Sequence, residues 1–160
     1  MGVADQQPDL GTLTDDLLIL SNFYYPEPTG SAPPIADLSV WAAEQGLRPH
    51  VLTARPSYPE NHVLEGYELG QKDREMYRGV AVRRVPVIVP KFRGMAGRLV
   101  AELSFVLGAV LARRRKFKGV ICVCPSVFVV LAAPLFRKRG GRVVAIVHDI
   151  QSGLAQSLNF

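Results

Sequence analysis

Residues 17–34, LLILSNFYYPEPTGSAPP, decide the fold. Leu17-Leu18-Ile19-Leu20 is a short continuous apolar run behind Asp15-Asp16, the pattern of a strand covered on both faces. From Asn22 to Pro34 the chain holds Pro26, Pro28, Gly30, Pro33 and Pro34, so it is a loop. Pro34 suits the first position of a helix, where a missing N–H costs nothing. Ile35, Leu38, Trp41 and Ala42 follow at helical spacing, and Gly46 is placed to stop that helix. His50-Val51-Leu52-Thr53 then reads as a second strand. Strand, loop, helix and strand within about forty residues make one βαβ unit.

The rest of the chain continues the alternation. Residues 54–79 are polar and rich in proline and glycine, and read as a long loop. Val80 to Val85 reads as a third strand. Gly94 to Arg113 has the composition of a helix ending in the cationic run Arg113-Arg114-Arg115-Lys116, the sign of charge that a helix C-terminus favours. Val120 to Cys124 reads as a fourth strand, central beside the first. Ser126 is a candidate N-cap for a helix through Lys138, stopped by Gly140-Gly141. Arg142 to Val147 reads as a fifth strand, leading into His148-Asp149. The fold class is therefore α/β: a doubly wound, mostly parallel sheet with helices on both faces. With strand order 3-2-1-4-5, a ligand crevice is expected beyond the strand C-termini, between the loops that begin at Ser21 and Pro125, with His148-Asp149 beside them.

Composition narrows the class. The chain has 160 residues, 48% of them hydrophobic, which suits one domain with a core of its own. The two cysteines, Cys122 and Cys124, sit at i and i+2 in an apolar run and read as buried, reduced core residues; no metal site is expected. Residues 1–14 lack the features of a signal peptide and read as a polar tail. The longest apolar stretch, Leu99 to Ala112, is broken by Glu102 and is too short to span a bilayer. A cytoplasmic location follows, with the protein peripheral at the inner face of the membrane. Charge is divided unevenly: residues 1–71 carry −8 and residues 72–160 carry +13. Such asymmetry suits an anionic partner. The basic residues lack recognition motifs for nucleic acid, which is not expected to bind.

The loop 23–30 offers chemistry as well as a turn. Gly30 permits close backbone approach, and the free N–H groups of the following helix attract phosphate. The competing reading is a proline-rigid turn in which Gly30 only supplies an unusual dihedral. The loop lacks the G-x-G-x-x-G of dinucleotide sites and any Walker lysine. Arg55, at the end of the second strand, could hold a 2′-phosphate and keeps an NADP-binding reading open. Tyr24, Tyr25, Tyr58 and Tyr67 could stack on sugar rings or simply pack. Arg93, Arg98 and residues 113–118 could instead make a non-catalytic module that binds anionic lipid. The apolar residues of 94–113 would then either be core or join Arg113–Lys116 in facing a membrane.

The ordered set P-E-P-T-G (26–30), W-A-A-E-Q-G (41–46), V-L-T-A-R-P-S-Y-P-E (51–60), R-R-V-P-V-I-V-P-K (83–91), P-S-V-F (125–128) and V-H-D-I-Q (147–151) resembles the opening half of family 4 glycosyltransferases, most of all their colanic-acid and exopolysaccharide branch. The resemblance covers roughly residues 17–158. It implies a GT-B enzyme of two Rossmann-like domains across a cleft, of which residues 15–160 are the N-terminal, acceptor-side domain. It further implies a nucleotide-sugar as substrate rather than a bound cofactor, a lipid-linked or polysaccharide acceptor, and retaining, metal-independent chemistry. On it rest His148 and Asp149 as catalytic candidates, with Gly30, Thr29 and Tyr25 toward the donor diphosphate; Ser126 joins them on topology. Ala32 stands where the family often has a second glycine. The family's C-terminal donor-binding domain, with its pair of glutamates, is absent from these 160 residues, so the chain alone is expected to be inactive.

Overall fold

The computed structural model describes residues 17–60, 62–90, 94–124 and 127–147. Their elements are β1 (Leu17–Leu20), α1 (Ala32–Glu44), β2 (Pro49–Ala54), β3 (Arg74–Tyr77), β4 (Val80–Val85), α2 (Met95–Leu111), β5 (Phe117–Cys124), α3 (Val127–Ala132), a 3-10 turn (Ala133–Phe136) and β6 (Arg137–Val147). Six strands form one sheet in the order β3-β4-β2-β1-β5-β6, parallel except for β3. β1 lies between β2 and β5, which explains why it is apolar throughout: both of its faces are covered. Because successive strand residues face opposite sides, Leu18 and Leu20 join one core and Ile19 the other. The first core is closed by Phe105 of α2 with Val129 and Phe136, the second by Ile35, Ala36 and Val40 of α1. The sheet is thus doubly wound and Rossmann-like, with the first and fourth expected strands adjacent at its centre.

Several local expectations change. The loop 54–79 contains β3, whose R-E-M-Y sequence has no apolar run and becomes a strand by pairing antiparallel with β4 across a two-residue turn, Arg78-Gly79. Both turn residues have positive φ, +47° and +84°, which matches the twist of a tight hairpin. The face of α1 is as expected only in part. Ile35 and Ala42 are buried, together with Ala36, Ser39 and Val40, whereas Trp41 is 53% exposed and Leu38 only half-buried. Gly46 ends α1 as expected: it takes φ +83°, its N–H reaches Ala43 O, and Leu47 N–H reaches Ala42 O. That is the paired bonding of a left-handed helix stop.

On the other side, the helix expected through Lys138 stops at Ala132. Pro134 has no N–H to continue it, and the chain tightens into the 3-10 turn before β6 begins, five residues ahead of the expected Arg142. Gly140-Gly141 lie inside β6 rather than after a helix, where β5 and β6 lose register. A Cβ at Gly141 would sit 2.5 Å from the Lys118 carbonyl oxygen, so the strand needs glycine there for close approach. Of the two cysteines, Cys122 is buried as expected and Cys124 only half-buried. α2 ends at Leu111, so Arg113–Lys116 follow the helix instead of closing it. Its inward face is Gly97, Phe105 and Ala109. Its opposite face, Met95, Leu99, Leu103, Leu107 and Leu111, repeats every four residues and is 43–85% exposed. That stripe is not core. Among the described residues no helix is long and apolar enough to cross a membrane.

Candidate functional site

At the C-terminal ends of β1, β2 and β4 lie two adjoining cavities of about 320 and 110 Å³, which share Asn22, Phe23, Arg98 and Ala101 in their walls. This is the end of the sheet where a doubly wound fold presents its ligand crevice. The loop after β1 is held there by its own polar groups. Ser21 Oγ donates to Phe23 O (2.7 Å), and Asn22 O accepts from Thr53 Oγ1 (3.3 Å) and Ala54 N (3.4 Å). Glu27 then ties that loop to the one after β2. It is 3% exposed, and its carboxylate accepts from the backbone N–H of Ser57 (2.9 Å), Tyr58 (3.0 Å) and Tyr24 (3.4 Å). Burial pushes its pKa up; those three backbone bonds and the Arg84 charge work the other way.

A second buried group supports the same loop from the sheet side. Arg84 of β4 is 2% exposed, pairs with Glu75 of β3, donates to Tyr25 O (2.7 Å) and lies 4.9 Å from the centroid of the Tyr67 ring. Tyr24 is fully buried, with its hydroxyl 2.7 Å from Ser39 Oγ, and burial raises its pKa. Four tyrosines offered stacking surfaces in the sequence. Two of them, Tyr24 and Tyr67, are inside the protein, and Tyr25 stacks on Tyr77 with centroids 4.1 Å apart. Tyr25 lines neither cavity of the crevice, so its assignment toward the diphosphate finds no support in its position. Tyr58 does line the crevice and is half-exposed.

Gly30 and Thr29 sit at the entry to α1, next to Ser31, which lines the smaller cavity. Gly30 takes φ +27°, and a Cβ built on it would meet nothing within 4 Å, so the space beside it is open. Thr29 O accepts from Ala32 N (2.8 Å) at the first turn. Ser126, His148 and Asp149 lie outside the described residues. The opposite wall of the crevice is the first turn of α2, from Gly94 to Arg98. The N-terminal end of such a helix carries partial positive charge. Arg98 adds a full charge, with Nε 3.4 Å from Glu102 Oε1. Arg55 also lines the crevice, but its guanidinium is taken by Asp73 in a two-pronged pair (2.7 and 2.8 Å) and by Glu68 O (2.9 Å). It is not placed to receive a 2′-phosphate.

The sequence reading missed three contributors: Glu27, Asn22 and Arg98, the last read there as lipid-facing. Arg98 had a legible signal, since the start of a helix entered from a parallel strand must lie at the crevice end of the sheet. Glu27 had none, because its partners come from a loop thirty residues away. Arg113, Arg114 and Arg115 are at the other end of the molecule, around a larger cavity of about 530 Å³ at the strand N-termini, with Lys116 exposed beside them. Among the described residues no group of three or more His, Cys, Asp or Glu side chains is placed to share a metal ion.

Across 141 residues the chain is 33% identical to WcaI of Escherichia coli (strain K12), named as a colanic acid biosynthesis glycosyl transferase. The match takes in 84% of this chain and 34% of that protein, so the chain spans about a third of the length of the curated relative it matches. No protein-family model and no solved structure matches the chain. The chain therefore contains a glycosyltransferase-like region on a doubly wound α/β fold.

Proposed function

We propose that this chain is the N-terminal, acceptor-side domain of a GT-B glycosyltransferase, working in polysaccharide biosynthesis on a nucleotide-sugar donor and a lipid-linked or glycan acceptor. The observation that carries this reading is the crevice at the switch point, with α1 and α2 both beginning at its edge and Arg98 in its wall, in a chain that resembles a glycosyl transferase over most of its length. The start of α2 and a guanidinium suit the developing charge on a departing diphosphate, whereas at the start of α1 Pro33 and Pro34 have no N–H and those of Ala32 and Ile35 are bonded to Thr29 O and Ser31 O. Gly30 and Thr29 lie where the loop opens toward that charge, and His148 and Asp149 remain the catalytic candidates that the resemblance supplies. Their work would be positioning and charge stabilisation more than covalent chemistry.

Nuclear magnetic resonance titration of the chain with a nucleotide-sugar and with pyrophosphate tests the site. Shifts are expected at Asn22, Gly30, Gly97 and Arg98, and Arg98→Ala should weaken them at least tenfold. Shifts confined to the arginines at the other end would overturn the assignment. The chain by itself is expected to give no multiple turnovers in a labelled-sugar transfer assay.

One observation favours attachment of this domain to an anionic membrane as part of the same function. The exposed stripe of α2 runs beside a similar one on α3 and the turn after it, Val127, Leu131 and Leu135, and the surface ends in Arg113–Lys116. Apolar residues bordered by cations are the composition of a surface that lies on lipid. Sedimentation with phosphatidylglycerol vesicles tests it: binding is expected, and equal binding to neutral vesicles would remove the reading.

A further inference from the structure

A cavity larger than either part of the crevice lies apart from it. It holds about 530 Å³, within the range of small-molecule sites of about 300–1,000 Å³, and opens at the opposite end of the sheet, below the C-terminus of α2. Its walls are apolar: Leu18, Leu52, Met76, Phe117 and Phe136. Around them stand Arg74, Arg83, Arg113, Arg114 and Arg115.

Three of these guanidiniums have structural work. Arg83 donates to Ala112 O at the end of α2, Arg113 donates to Leu135 O (2.7 Å), and Arg115 lies 4.6 Å from the centroid of the Phe117 ring. Arg74 and Arg114 have no ion pair among the described residues. They stand close enough to Arg83 to repel it: burial lowers the Arg83 pKa most, the charges of Arg114 and Arg74 lower it further, and the Asp73 charge offsets them in part. Glu75 also lines the cavity, but its carboxylate is paired with Arg84. A cluster of like charges held at the mouth of an apolar groove gains from an anion that carries an apolar stem.

We propose that this groove binds a single anionic phospholipid, its phosphate between Arg74 and Arg114 and its stem along Leu52, Met76 and Phe117. Guanidiniums match phosphate oxygens in geometry as well as charge. The two parts of the ligand explain the two parts of the groove, which neither free phosphate nor a neutral lipid does. The site is separate from the crevice and goes beyond the transferase reading: its failure would leave the crevice assignment untouched, because the two share no lining residue.

Calorimetric titration of the full chain tests this with dihexanoyl-phosphatidylglycerol below its micelle concentration, so that no bilayer is present. Glycerol 1-phosphate, inorganic phosphate and dihexanoylglycerol are the comparison arms. The short-chain phospholipid should bind at least tenfold more tightly than any of the three. Arg74→Ala and Arg114→Ala should each weaken it about tenfold, and Met76→Ser, which removes apolar contact without adding charge, should weaken it without altering the affinity for phosphate. Arg98→Ala should leave it unchanged. Equal affinity for phosphate and phospholipid, or indifference to Arg74→Ala and Arg114→Ala, would sink the proposal. Folding of each variant is checked by its circular dichroism and melting curve, and Arg74→Lys, which keeps the charge but loses the paired donors of the guanidinium, should fall between the parent and Arg74→Ala.

Discussion

At the scale of single residues, the crevice depends on a carboxylate that no ligand needs to touch. Glu27 accepts three backbone N–H bonds and joins the loops after β1 and β2. Glu27→Ala would leave buried donors at Ser57 and Tyr58, each worth about 1–3 kcal/mol, so a loss of about 2–5 kcal/mol is expected in urea denaturation. The pH dependence has a definite sign. Burial raises the pKa of Glu27 above its ordinary 4.5. The folded state therefore holds a proton that the unfolded chain has already released, and stability from this group declines as pH rises through the raised value. Glu27→Gln carries no titrating proton, so the stability difference between Glu27→Gln and the parent should shift in favour of Glu27→Gln as pH climbs from about 4.5 toward neutrality. A difference independent of pH would show that the pKa of Glu27 is not raised in the folded state. Gly30 is a simpler case. Its positive φ makes Gly30→Ala strained by about 1–2 kcal/mol, yet the new Cβ meets no neighbour. Any loss of nucleotide-sugar binding should then exceed what the melting curve explains.

Among the elements, legibility followed burial. β1 and β5 could be placed from the sequence because strands covered on both faces must be apolar. β3 could not: Arg74-Glu75-Met76-Tyr77 becomes a strand only because β4 offers it an edge and Arg78-Gly79 turns tightly enough. α3 was read too long because Ser126 and Gly140-Gly141 looked like helix limits, while the glycines serve close approach inside β6 and Pro134 ends the helix early. On α1, Ile35 and Ala42 were legible but Trp41 was not, because size does not decide orientation; small Ala36 and Ser39 fit against the sheet. α2 makes the same distinction testable. Phe105 is fully buried, so Phe105→Ala should cost about 3–5 kcal/mol. Leu103 and Leu107, on the exposed stripe, should tolerate serine within about 0.5 kcal/mol. Urea denaturation of the three variants measures the contrast. A large loss from Leu107→Ser would place the stripe in a packed interface of the chain itself.

For the whole molecule, the division of charge has a direction. The crevice and the arginine groove lie at opposite ends of the parallel strands, and the exposed stripe of α2 runs between them. A membrane that meets the stripe also meets Arg113, Arg114, Arg115 and Lys116, while the acidic residues of the first half of the chain include Glu27, which faces inward. Near an anionic leaflet each basic residue contributes about 1 kcal/mol, so losing three would reduce vesicle binding by about two orders of magnitude at low salt. Arg113→Glu, Arg114→Glu and Arg115→Glu together go further, because each adds repulsion. The effect must fade with salt. At about 0.1 M the screening length is about 10 Å, and at 1 M about 3 Å, so the parent and the triple variant should converge as salt is raised. What remains at high salt is the apolar part, and Leu103→Ser with Leu107→Ser should remove it in both. Vesicle sedimentation over a salt series reads the two contributions separately: a triple variant that bound phosphatidylglycerol vesicles like its parent at low salt would show that the arginines do not face the lipid, whatever the leucines do.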